Sequence, residues 1–302
     1  MTATIERVER DAAPAPNGAA PPVRASRSIV AAALGIVAVL LLALVLNLVL
    51  VSRLTHRSAQ QAGFKTLRAQ LAQGTAPVSQ LDSNGRLLES GAPIALLNIP
   101  QIGLTNEVIF NGTTSGVLTK GPGHQRNTVL PGQVGESIVF GRSGAYGGPF
   151  GELEKLHKGD TFTVTTGQGL ARYQVIGTRL AGDPSPALQA GHGLLTLTTG
   201  RGRPFMPSGV LRVDAALIST PQPAAGLYAI PMSSAEQPMG TEHGALLPLV
   251  LWLQSVLVVA LGAVLAWHRW GRWQTWVVFG PLALFAGYFT ANQISLLLPN
   301  LS

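Results

Sequence analysis

The run Leu194-Leu-Thr-Leu-Thr198 alternates apolar and hydroxyl-bearing side chains, and it has counterparts in Ser137-Ile-Val-Phe140 and Thr161-Phe-Thr-Val-Thr165. Side chains that switch faces with period two belong to half-buried strands. Between residues 93 and 219 such short runs recur, separated by Gly, Pro and Asn, which predicts an all-β sandwich or barrel of about 125 residues. Upstream, Leu54, Phe64, Leu67 and Leu71 fall at helical spacing among polar residues, so a stalk helix ending near Gly74 is expected within a 52–92 stalk and linker. Its simplest role is a spacer. Downstream, residues 220–244 are rich in Pro, Ser and Ala and read as a tether.

The rest of the chain is not that of a purely soluble protein. Of 302 residues, 46% are hydrophobic and only 12% charged. Between Ile29 and Val51 every residue except Gly35 and Asn47 is Ala, Val, Ile or Leu, long enough for an uncleaved transmembrane anchor. Residues 245–267 and 275–298 contain no charged side chain and predict two further spans, three in all. Pro248 and Gln254 in one, and Pro281, Asn292 and Gln293 in the other, are expected to face a helix partner rather than lipid. The link His268-Arg-Trp-Gly-Arg-Trp273 is short, basic and aromatic, the kind retained in the cytoplasm. That orientation puts the disordered tail, residues 1–28, inside, and the β domain outside a plasma membrane crossed several times. The net charge of +7 is dispersed and lacks a basic run interleaved with aromatic residues, so a nucleic-acid partner is disfavoured.

The order of motifs in the β segment resembles the sortase family, particularly its membrane-anchored actinobacterial class E and pilus-type branches. The motifs are Leu97-Asn-Ile-Pro-Gln-Ile-Gly-Leu104, Gly112-Thr-Thr, Gly121-Pro-Gly-His124, Pro131-Gly-Gln-Val-Gly135, Tyr146-Gly-Gly-Pro-Phe150, Lys158-Gly-Asp160 and Leu195-Thr-Leu-Thr-Thr199. The resemblance implies a sortase-like β-barrel outside the membrane of a Gram-positive cell, in a mainly β protein carrying three transmembrane helices. It also implies a His, a Cys and an Arg for cysteine transpeptidation. The chain has no cysteine. Disulfides, thiolate metal sites and a Cys nucleophile are therefore excluded. The positions matching the family's His, Cys and Arg read Arg142, Gly200 and Val210. Arg212, on the same strand face as Val210, is a partial substitute for the lost charge.

No replacement machinery is legible. Ser143, Thr198 and Thr199 carry hydroxyls near the former site, but Arg142 cannot serve as their base. His124 reads as a structural turn residue, His157 as solvated, and His192 lies eight residues before Gly200. Glu152, Glu154 and Asp160 do not form a spaced oxygen-ligand loop, and Gly141–Gly148 does not match a phosphate loop, so no metal or cofactor is expected.

The candidate groove is Arg142, Thr198, Thr199, Arg201, Arg203 and Arg212. Its arginines either accept an anion or leave Arg142 paired with a carboxylate of its own domain. The expectation is a catalytically inactive, sortase-like membrane protein acting as a binding or accessory module in cell-envelope protein anchoring. Its partners would be the membrane, an active sortase, a sorting-signal protein or another envelope protein. A transpeptidase using a non-cysteine nucleophile and a purely structural subunit of a membrane complex are the alternatives.

Overall fold

The computed structural model describes residues 41, 42, 45, 50–203 and 206–302. A helix, α1 (Ser52–Gln73), precedes eight strands: β1 (Pro93–Ile99), β2 (Leu104–Asn111), β3 (Gly123–His124), β4 (Gly135–Phe140), β5 (Thr161–Thr166), β6 (Gly169–Leu180), β7 (Gly193–Arg203) and β8 (Met206–Leu217). A one-turn helix, α2 (Ser115–Leu118), lies between β2 and β3, and two long helices, α3 (Leu246–Trp270) and α4 (Arg272–Leu297), follow the strands.

The strands close into a barrel in the order β1-β2-β3-β4-β7-β8-β6-β5. Period-two alternation divides each strand between two surfaces. Leu195 and Leu197 of β7, Val139 of β4 and Leu211, Val213 and Ala215 of β8 fill the interior with Ile94, Leu97, Ile109, Phe150 and Tyr173. The opposite set, Phe140, Thr196, Thr198, Gly200, Val210 and Arg212, therefore lines the outer surface of three neighbouring strands, where β4 runs parallel to β7 and β7 antiparallel to β8. That outer surface is the floor of the site.

Helix α1 ends at Gly74, whose backbone takes the left-handed conformation at φ 67° and donates its N–H to Leu71 O. It is more than a spacer. Leu67 is fully buried, Gly63 lies so close to Phe110 that a Cβ would stand 2.9 Å from the ring, and the Gln60 side chain exchanges hydrogen bonds with the Val108 backbone. The 220–244 tether is likewise held. Glu236 is 2% exposed and forms a two-pronged pair with Arg126, at 2.6 and 2.8 Å, while its carbonyl accepts from Thr113 Oγ1. Composition signals a tether because Pro and Ser form no periodic pattern, yet side-chain bonds to the barrel fix its course.

Among the described residues, two helical stretches are long and apolar enough to cross a membrane, His243–Trp267 and Trp273–Leu297. The third expected span, residues 29–51, falls almost wholly outside the described residues. The helices also extend into the expected basic link, leaving only Gly271, at φ 92°, between α3 and α4. Leu247, Val258, Leu265, Trp273, Trp276 and Leu284 present their side chains outward from the pair, all more than 60% exposed. Inside the pair, Trp252 stacks on Phe289 at 4.6 Å, and Gly262 lets Phe279 approach to where a Cβ would lie 2.8 Å from its ring. A small residue at such a contact lets two helices approach closely.

Candidate functional site: a groove filled by residues 299–302

Helix α4 stops at Leu297, before Pro299, and the following residues turn into the outer surface of β4, β7 and β8. Leu301 is fully buried and packs in a cluster with Leu118, Phe140 and Val210. Its carbonyl accepts two hydrogen bonds from Ser143, from the backbone N–H and from Oγ, both at 3.1 Å. Asn300 is buried too. Its Nδ2 donates to the carbonyls of Thr113 and Gln237, and its backbone N–H to Gly240 O. Ser302 closes a turn onto Pro299 O through its N–H and hydroxyl. Just upstream, Ser295 Oγ lies 2.9 Å from the Tyr146 hydroxyl.

Each of the three positions read as changed in sequence meets this segment. Arg142 follows β4 and is fully enclosed. Its Nη1 donates to Ser302 O at 3.3 Å, and its Nη2 to the carbonyl and hydroxyl of Ser115 at 3.2 and 3.3 Å. The guanidinium carbon stands 5.1 Å from the centre of the Tyr146 ring, a cation–π contact in a dry setting. Burial pulls the Arg142 guanidinium down to about 10, opposed by the electrostatic influence of Tyr146 and Glu242, so it stays charged at neutral pH. Gly200, on β7, has no side chain for a reason visible in the packing. A Cβ there would lie 2.8 Å from Leu301 O and 2.9 Å from Pro207 Cβ. Val210, opposite Gly200 in the β7–β8 register, forms part of the wall around Leu301.

The other candidate residues are not brought to one place. Thr198 is fully buried on the same outer surface, its hydroxyl without a hydrogen-bond partner among the described residues. Thr199 points the other way and donates to Gly141 O at 2.9 Å. Arg201 and Arg203 are exposed where β7 leaves the barrel. Arg212 is half-buried; burial and the neighbouring Arg179 draw its pKa down against the pull of Asp214 and Glu136. The arginines thus do not converge on a shared anion, and no ion pair joins Arg142 to a carboxylate among the described residues. The described hydrogen bonds of Arg142 go instead to the backbone oxygens of Ser302 and Ser115 and to the Ser115 hydroxyl.

None of the histidines reaches the groove hydroxyls through a described hydrogen bond. His124 is buried on β3 with Nε2 2.8 Å from Val129 O, and burial holds its imidazole down to about 4. His157 donates its backbone N–H to Asp160, and His192 is exposed. Sequence reasoning passed over Asn300, Leu301 and Ser302, because nothing local distinguishes them from the frayed end of an apolar span. The only cue is Pro299, which stops a helix without saying where the chain goes next.

The model of the sortase domain family matches residues 97–205. Among solved structures, sortase E from Streptomyces avermitilis is 34% identical, with 44% of this chain and 91% of that chain covered and a TM-score of 0.38. A sortase D5 transpeptidase of Clostridium perfringens is 23% identical, with 54% and 99% covered and a TM-score of 0.44. The group B Streptococcus pilus island 1 sortase C2 is 27% identical, with 54% and 98% covered and a TM-score of 0.39. A comparison with curated proteins finds no match. From the ordered motifs, the eight-stranded barrel and the matched domain, the chain belongs to the sortase family.

Proposed function

We propose that this sortase-family chain is a membrane-bound, non-catalytic binding module, with its barrel outside the plasma membrane and its N-terminal tail inside. The observation that carries this reading is the absence of any cysteine from the chain, and the positions that the motif order matches to the family's His, Cys and Arg read Arg142, Gly200 and Val210. None supplies a nucleophile or a base. The nearby hydroxyls do not fill the gap. Ser143 Oγ donates to Leu301 O, and no base lies in described hydrogen-bond contact with Ser143, Thr198 or Thr199. What survives is a buried surface on β4, β7 and β8 that accommodates a short peptide turn. Its partners, on this reading, are peptides or proteins handled in envelope anchoring, including sorting-signal substrates or an active sortase.

The test uses the full chain in lipid nanodiscs, a labelled sorting-signal peptide and an active sortase as positive control. Mass spectrometry is expected to find the peptide intact after incubation with the chain and cleaved by the control. Cross-linking in the native membrane is expected to recover an envelope-anchoring partner through the barrel. Cleavage that disappears in Ser143→Ala, Thr198→Val or Thr199→Val would establish a hydroxyl-nucleophile enzyme and overturn the proposal.

A further inference from the structure

The outer groove of the barrel already holds a peptide, and that peptide is the chain's own. We infer that Pro299–Ser302 is a tethered ligand of the groove, held in cis and displaceable by a free peptide of the same chemistry: an aliphatic side chain presented on a tight turn. The inference deepens the binding reading, on which it rests, by naming what occupies the site and what gates access to it.

Three features separate a ligand from mere packing. The contacts combine a side-chain pocket with backbone recognition, as peptide grooves do. Leu301 enters the pocket of Leu118, Phe140 and Val210, while its carbonyl is gripped twice by Ser143 and the next carbonyl by Arg142. The fit also depends on an absent side chain, because Leu301 O passes where a Cβ on Gly200 would stand at 2.8 Å. Finally, Arg142 is an enclosed cation whose described hydrogen bonds go to the backbone oxygens of Ser302 and Ser115 and to the Ser115 hydroxyl, and its Nε has no hydrogen-bond partner among the described residues. Removing the segment takes away the described acceptor of Nη1, a place that water or a replacement backbone oxygen would fill. Arg142 therefore makes the open groove receptive.

The route into the groove adds a mechanical link. The segment begins one residue after α4, and Ser295 on that helix contacts Tyr146 at the groove's edge. Emptying the groove thus changes what holds the membrane end of α4 to the barrel, and a partner that pulls on the helix pair would open the site.

The chain's lack of cysteine makes the test clean. In the full chain in nanodiscs, Ser302→Cys is a near-isosteric probe of a fully buried position, and Ala225→Cys is the exposed control. Maleimide is expected to react at least about tenfold more slowly with Ser302→Cys than with the control, since reaction requires local opening. A free peptide spanning residues 296–302 is expected to accelerate the slow reaction saturably, and the same peptide carrying Leu301→Asp is expected to leave it unchanged. Reaction of Ser302→Cys as fast as the control would overturn the docked state. Protection that the peptide cannot relieve would make the segment a fixed part of the fold and overturn its role as a ligand. Neither outcome bears on whether the chain cleaves peptides or meets an envelope partner, so failure here is distinct from failure of the functional reading.

Discussion

At the scale of single residues, the site is defined by replacements that fit one another. Arg142, Gly200 and Val210 each touch residues 301 or 302, so reversing one of them works against the segment. Gly200→Cys would put a thiol at the position that the motif order matches to the family's cysteine, but its Cβ would press on Leu301 O and Pro207. The expected result is a loss of about 1–3 kcal/mol in stability, as for other overpacked sites, with no peptide turnover. Thermal unfolding and mass spectrometry check both parts, and measurable cleavage by this variant would show that only the thiol had been missing. His124 supports a separate prediction. Its imidazole stays neutral in the folded protein down to about 4, whereas in the unfolded chain it takes up a proton below about 6.5. The unfolded state thus binds more protons in that interval, and stability falls as pH is lowered from about 6.5 toward 4. His124→Gln is expected to flatten the fall in melting temperature between about pH 6.5 and 5, above the main carboxylate range; an unchanged slope would assign the acid sensitivity elsewhere. The reading of residues 142 and 200 as changed positions rests on the neighbouring motifs Tyr146–Phe150 and Leu195–Thr199, whereas residue 210 has no such motif beside it. It did not reveal their new use, since Arg142 and Ser302 lie 160 residues apart and no local pattern encodes the pairing.

At the scale of elements, periodicity explains what could be read and what could not. The strands announce themselves by alternation and α1 by helical spacing with a glycine stop, because both patterns are imposed by the surface each element buries. The 220–244 segment has no period, and its attachment rests on isolated polar anchors. Glu236 is the strongest of them, receiving Arg126 from the barrel and the Ser233 N–H and hydroxyl from its own turn. Burial alone would raise its pKa, but the Arg126 and Ser233 bonds outweigh that and hold it below the usual value. Glu236→Gln keeps the shape and removes the charge that Arg126 faces. The variant is expected to lose about 1–3 kcal/mol and to expose residues 220–244 to protease while the barrel remains resistant. Equal protease resistance in native and variant chains would show that the segment is held mainly by its other contacts, Gly116 N–H to Glu242 and Asn300 to Gln237 O. Glu242 and Asn300 connect the tether to the ends of the helix pair, so the anchors of one element are also the entry points of the next.

At the scale of the whole molecule, those entry points constrain how the chain crosses a membrane. Glu242, just before α3, donates its N–H to Leu296 near the end of α4, and the Tyr146 loop of the barrel meets Ser295. Both ends of the helix pair therefore stand beside the barrel, and their connection at Gly271 lies at the far tip. Helices of 25 and 26 residues are each about 38 Å long at 1.5 Å per residue, enough to cross a hydrocarbon core of about 30 Å. A pair that enters and leaves beside the barrel puts the barrel and residues 298–302 on one side and the tip, with Arg269 and Arg272, on the other. Positive charge at the tip favours retention in the cytoplasm, and on the proposed reading the barrel would then stand outside. Single cysteines in the otherwise cysteine-free chain can read this directly in intact cells. Ala225→Cys is expected to react with a membrane-impermeant maleimide added from outside, and Trp270→Cys, at the tip, only after permeabilisation. Labelling of Trp270→Cys in intact cells with Ala225→Cys protected would invert the orientation and put the groove in the cytoplasm. Labelling of both from outside would mean that the helix pair lies on the membrane without crossing it. Only the expected pattern lets a movement of the membrane-embedded pair withdraw residues 298–302 from a groove that faces the envelope, because the pull and the site then share one side.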